Sequence, residues 1–195
     1  MKKIIDNALN SSLLSAIQEP INSGDMPWFF IENSAANPKK DVDKELIKET
    51  PLNYSFCHAV FNKDVSNNAI SALYDLTNSI SLILKDLFEL EKTYKVFRLR
   101  WGMTTTLNKI HKHTPHIDMP TPHKNILFYL NDCDGDTYFY DKEHKIVDSV
   151  TPKENRAVLF DGGTLHSSSK PVEFARRIVL NINLVDEYIK PKKIY

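Results

Sequence analysis

At 195 residues, 42% of them hydrophobic and 26% charged, the chain fits one globular domain able to bury roughly 70% of its unfolded surface. Its 25 basic and 25 acidic residues cancel, so total charge gives no long-range pull on a nucleic-acid backbone, although a local basic patch is not excluded. No apolar stretch follows Met1-Lys2-Lys3, and no run approaches the roughly 20 residues of a membrane span. The expectation is a single cytoplasmic domain over residues 1–195, with no membrane partner and no strong nucleic-acid signal.

The first predicted element is a helix over 4–18, where Ile5, Leu9, Leu13, Leu14 and Ile17 share a face. Trp28–Glu32 and Tyr54–Asn62 read as short strands, with Trp28-Phe29-Phe30 as core aromatics. Residues 34–52 are polar and read as an exposed loop, with one helical turn around Glu45–Lys48. A stronger helix is predicted over 66–90, capped by Ser66 or Asn67. Its stripe of Ile70, Leu73, Leu76, Ile80, Leu84 and Leu87 suits a flat partner such as a sheet.

From residue 94 the pattern turns to β. Tyr94–Arg100, Thr104–Lys109, Lys124–Leu130, Thr137–Tyr140, Ala157–Phe160 and Arg177–Val185 are β-prone runs separated by turn residues. Asp132, Asp134 and Asp136 alternate, but the closing Glu of a calcium loop is missing, so they read as a solvated hairpin turn. Cys57 and Cys133 lie far apart and read as free thiols of a reducing compartment. This order of elements predicts an α+β fold. Its core is a jelly roll (a double-stranded β-helix) buttressed by the N-terminal helices.

The chemistry concentrates in His116-Ile117-Asp118, followed by His166 and then Arg177. Residues two apart on a strand share a face, so His116 and Asp118 can aim together, and Gly162-Gly163 lets the chain bring His166 over them. Two neutral imidazoles and one carboxylate leave positions open on an octahedral ion, which suits a non-haem Fe(II) oxygenase. Alone, a His-x-Asp in a His-rich stretch is common by chance. A zinc site from the same histidines competes, although structural zinc generally favours Cys or closely set pairs. The joint order of motif, distal His and Arg carries the reading.

Those residues, with Leu127-Phe128-Tyr129-Leu130-Asn131-Asp132, Asp134-Gly135-Asp136-Thr137, Arg156-Ala157-Val158-Leu159-Phe160-Asp161 and Arg177-Ile178-Val179-Leu180-Asn181, resemble the Fe(II)/2-oxoglutarate oxygenase superfamily. Within it they are similar to small phage or bacterial members of the prolyl-4-hydroxylase-like branch. The resemblance runs from about Thr104 to Leu184. It implies iron ligation by His116, Asp118 and His166, and cosubstrate binding by Arg177, with Arg176 as its rival, helped by Tyr129. Asn125 falls where some relatives line the pocket. The family's tyrosine upstream of the first ligand is absent, and Asn108 is a stand-in for part of its contact. The implied cofactors are Fe(II), 2-oxoglutarate and O2, with ascorbate supportive. The implied reaction hydroxylates a protein or peptide side chain, a prolyl residue first, releasing succinate and CO2. A free amino acid, a small metabolite or a nucleobase is an alternative substrate, and a non-catalytic jelly-roll binding module is the alternative class. Oligomeric state is open.

Overall fold

Alternation of apolar and polar residues along the long strands decides the architecture, because it gives each strand two faces to bury. The computed structural model describes residues 2–34 and 52–189. In chain order the elements are β1 (Lys3–Ile5), α1 (Ser11–Asn22), β2 (Phe29–Ile31), β3 (Ser55–Asn62), α2 (Tyr74–Leu87), β4 (Tyr94–Thr105), β5 (His111–Lys112), β6 (Lys124–Tyr129), β7 (Thr137–Tyr140), β8 (Ile146–Val150), β9 (Arg156–Asp161), β10 (His166–Lys170) and β11 (Arg176–Asp186). A seven-stranded sheet runs β1-β9-β6-β11-β4-β3-β2, and a four-stranded sheet runs β5-β10-β7-β8. The pairings are antiparallel, giving the two-sheet sandwich of a double-stranded β-helix.

One face of the large sheet is sealed by the helices. Ile17 and Ile21 of α1 and Ile80 and Leu84 of α2 share a core with Leu99, Trp101, Ile126, Phe128, Ile178, Leu180, Ile182 and Leu184. Its other face meets the small sheet through Leu127, Tyr129, Val158, Phe160 and Val179, packed with Phe139 and Val150. The buttressing role expected of the N-terminal helices is what the packing shows. Among the described residues no helix is long and apolar enough to cross a membrane.

Several expectations are corrected. Residues 3–5 form a strand and not the start of a helix, because Lys3, Ile4 and Ile5 pair with Leu159, Val158 and Ala157 at the sheet edge. The helix starts only at Ser11, where the Asn10 side chain accepts from the Leu13 amide. The second helix starts at Tyr74 with no side-chain cap, so neither Ser66 nor Asn67 caps it. Tyr94–Arg100 and Thr104–Lys109 are not two strands: β4 runs unbroken to Thr105 because β11 pairs along its length. Phe29 and Phe30 are 62% and 61% exposed and are not core; Phe30 stacks on Tyr54 at 5.8 Å. The turn anticipated at Glu45–Lys48, and most of the 34–52 loop, lie outside the described residues.

Candidate active site

Backbone pairing brings the histidines together. His116 and His166 form an isolated antiparallel bridge, each amide donating to the other's carbonyl at 2.9 and 3.0 Å. Their rings face each other with centroids 4.8 Å apart. Beyond His116 the chain alternates: Ile117 is 42% exposed, while the Asp118 side chain turns inward and is 3% exposed. His116, Asp118 and His166 each offer one ligand atom, all within 4.8 Å of one another. The turn before His166 is held by a close approach: a Cβ on Gly162 would lie 2.3 Å from the His123 ring. Glycine is needed there for space, not for the chain flexibility read from the sequence.

Each ligand atom is prepared by a partner. His116 Nδ1 and His166 Nδ1 lie 3.0 Å from the carbonyls of Thr114 and Thr164, respectively. A carbonyl only accepts, so both Nδ1 atoms carry the proton, which in the neutral ring leaves Nε2 as the lone-pair donor. Burial, reinforced by His166, pushes His116 down to about 4, which keeps its ring neutral at pH 7. Burial would raise Asp118, but Arg98 at 3.1 Å, the two histidines and Arg100 outweigh it and hold the carboxyl well below the usual range. Its Oδ2 accepts from Asn181 and Asn183, each at 3.0 Å. Two imidazoles presenting Nε2 and a fixed carboxylate are a donor set that suits a divalent iron.

Arg177 lies deeper in the same cleft, 4% exposed. Its Nη2 donates to Thr137 Oγ1 at 2.9 Å, and the guanidinium carbon lies 5.3 Å from the Tyr129 ring centre. Tyr129 is fully buried and its hydroxyl meets Thr137 Oγ1 at 2.8 Å. Arg176 points the other way, to Asn22 Oδ1 at 2.8 Å on the end of α1. Among the described residues, eight buried side-chain polar atoms make no hydrogen bond, Arg98 Nη2 among them having only its ion pair with Asp118. Four of them, Thr104 Oγ1, His113 Nε2, Arg177 Nε and Asn181 Oδ1, belong to residues lining this cleft. Such a concentration marks where a polar ligand completes the hydrogen bonding.

Other expectations change. Asn125 does not line the cleft; its amide oxygen accepts from Asn183, so it supports the group holding Asp118. Asn108 is exposed and absent from the cleft wall. Asp134 is not a merely solvated turn residue, since its carboxylate accepts from the amides of Val172 and Glu173, each at 3.0 Å, and ties down the approach to β11. Sequence reasoning missed Arg98, Asn181, Asn183 and Thr137. A usable signal existed: Arg177, Val179, Asn181 and Asn183 fall at steps of two between Ile178, Leu180, Ile182 and Leu184, which marks polar groups on one face of a buried strand.

Residues 103–185 match the family model described as the 2OG-Fe(II) oxygenase superfamily. No curated protein matches the sequence. Among solved structures, the fold is similar to an oxidoreductase of the 2OG-Fe(II) oxygenase family from Burkholderia pseudomallei (TM-score 0.69, 10% identity, covering 98% of this chain and 88% of that one). It is also similar to a Trichoplax adhaerens prolyl hydroxylase in complex with a hypoxia inducible factor peptide fragment (TM-score 0.63, 17% identity, 95% and 84% covered). A third likeness is to the non-heme alpha ketoglutarate dependent epimerase SnoN from nogalamycin biosynthesis (TM-score 0.60, 10% identity, 95% and 78% covered). The match to the 2OG-Fe(II) oxygenase model covers less than half of the chain, and the neighbours, at 10–17% identity, show a shared fold. Their differing substrates leave the choice of substrate to the residues of this cleft.

Proposed function

We propose that the chain is a 2OG-Fe(II) oxygenase that hydroxylates a protein or peptide side chain, a prolyl residue being the first choice, at the expense of 2-oxoglutarate and O2. The observation that carries the reading is that the metal-facing histidines and the buried Arg177 guanidinium line one cleft. His116, Asp118 and His166 would hold Fe(II). The bound iron would supply the oxidising chemistry: RH, O2 and 2-oxoglutarate become ROH, succinate and CO2.

The chain's own residues set the geometry. Arg98, Asn181 and Asn183 fix the Asp118 carboxylate, and the Thr114 and Thr164 carbonyls orient the two imidazoles. Arg177 would pair with the far carboxylate of 2-oxoglutarate through its planar fork. Thr137 bridges Arg177 to Tyr129, so the tyrosine would steady the guanidinium and add a hydroxyl near the same carboxylate. The free thiols Cys57 and Cys133 suit a reducing cytoplasm.

The test is aerobic incubation with Fe(II), ascorbate as supporting reductant, and 2-oxoglutarate, followed by a screen of peptide and amino-acid libraries for addition of one oxygen. Succinate formed only with iron, and a hydroxylated peptide found, supports the reading. Product on a free amino acid or small metabolite would move the substrate class. Absence of succinate with any library would leave a non-catalytic binding module.

A further inference from the structure

Among the arginines of the chain, four have a partner: Arg98 with Asn183 and Asp118, Arg156 with Asp6, Arg176 with Asn22 and Arg177 with Thr137. Arg100 is the exception. Among the described residues it makes no hydrogen bond or ion pair, yet it is half-buried and lines the same cleft as His116, Asn181 and Arg177. Its field reaches Asp118, but that carboxylate is already bonded to Arg98, Asn181 and Asn183, so the Arg100 guanidinium keeps its donors free for another anion.

Its position separates it from the proposed cosubstrate anchor. On β4, Thr104 sits opposite Arg177 and Arg100 sits opposite Asn181, with all three of Arg98, Arg100 and Thr104 on the inward face. Two face-repeats put the Arg100 backbone about 14 Å along the sheet from the Arg177 level, beside the metal-facing carboxylate and not at the deep end. On its far side β3 offers only Ala59 at the paired position, and the next inward residue of β4 is Gly102, so the floor next to Arg100 is low.

We propose that Arg100 binds a carboxylate carried by the substrate, close to the carbon that is oxidised. The inference rests on the reading of the site as an Fe(II)/2-oxoglutarate centre. In that reading both charges of the cosubstrate would be answered, one by Arg177 and one by the metal, which leaves Arg100 for a second molecule. A carboxylate fits better than a phosphate dianion, because among the described residues no second free cation stands beside Arg100: Arg98 is committed to Asp118, and Lys170 donates to the Tyr54 carbonyl. The shared chemistry covers a free amino acid, a peptide C-terminus and an acidic side chain next to the target residue.

The test uses Mn(II) in place of iron, so that no turnover occurs, and reads proton relaxation of small ligands by the paramagnetic ion. The full chain is loaded with Mn(II) and 2-oxoglutarate and offered the common L-amino acids, each with its carboxamide. It is also offered short peptides with free or amidated C-termini and with Asp or Asn beside proline. The expected result is that at least one acid is relaxed at least tenfold more than its amide partner. Arg100→Met should remove that preference, and Arg100→Lys should keep part of it. The 2-oxoglutarate methylene protons should stay relaxed in both variants, which also shows that the site remains folded. Acids and amides relaxed alike, no acid relaxed at all, or a preference surviving in Arg100→Met would each overturn the anchor. If Arg100→Met releases 2-oxoglutarate as Arg177→Met does, Arg100 belongs to the cosubstrate and the proposal fails. If 2-oxoglutarate is not relaxed even in the unaltered chain, the reading of the site fails first and the anchor with it.

Discussion

The two faces of β11 share one backbone but do opposite work. Ile178, Leu180, Ile182 and Leu184 point into the core under the helices, and each is at most 1% exposed. Arg177, Asn181 and Asn183 point into the sandwich, where they meet Thr137 and Asp118. The apolar face contributes stability through burial, and the polar face places charges that burial alone would disfavour. The lesson is that a rigid strand, anchored on one side, can hold unpaired polar atoms in place on the other.

That contrast predicts separable effects. Asp118→Ala should lower iron-dependent succinate formation by roughly 100-fold or more, since even residues behind metal ligands are typically worth 10- to 100-fold. Equal turnover in the variant would show that the carboxylate holds no metal. On the other face, Leu180→Ala should cost about 2–5 kcal/mol in urea unfolding, with the 2-oxoglutarate requirement of the folded protein unchanged. A shifted requirement would mean that the two faces are not independent.

Arg177→Met should raise the 2-oxoglutarate concentration for half-maximal binding roughly tenfold to a hundredfold, the value of hydrogen bonds to a charged partner, with Mn(II) affinity retained. Acid should act through the polar face. Burial holds His113 down to about 3 and His116 to about 4, below the roughly 6.5 of the unfolded chain. The unfolded state therefore takes up protons first as pH falls below about 6.5, and metal-free stability should drop by on the order of 2 kcal/mol for each of the two rings between pH 7 and 5. Asp118 moves nothing in that window, because its depressed carboxyl stays ionised until well under pH 3.8. A flat urea midpoint from pH 7 to 5 would contradict buried neutral imidazoles. Arg176→Met, at the exposed end of α1, should change stability by no more than about 0.5 kcal/mol and leave 2-oxoglutarate binding alone.

Where one face of a segment was strongly apolar, the sequence was easy to read. β6, β7, β9 and β11 stand within a residue of their expected bounds, because Val, Ile and Phe alternate or run continuously there. β10 escaped notice since His166-Ser167-Ser168-Ser169-Lys170 has no apolar residue; its pairing with β7 and β5 makes it a strand. β1 was misread because Ile4 and Ile5 also fit a helical stripe, and only the edge of β9 decides between them. The motif His116-Ile117-Asp118 and the distal His166 were legible as chemistry. The Arg98 and Asn183 contacts around Asp118 were not, since they depend on which long-range neighbours share a sheet face. That Arg100 makes no hydrogen bond among the described residues was hidden for the same reason.

A crystal structure of the chain grown without oxygen, with Mn(II) and 2-oxoglutarate, tests the central claim most directly. The account predicts one ion bonded to Nε2 of His116, a carboxylate oxygen of Asp118 and Nε2 of His166, with the distal carboxylate of the cosubstrate on Arg177. Those three side chains turned apart with the ion elsewhere, or 2-oxoglutarate bound away from Arg177, would contradict it.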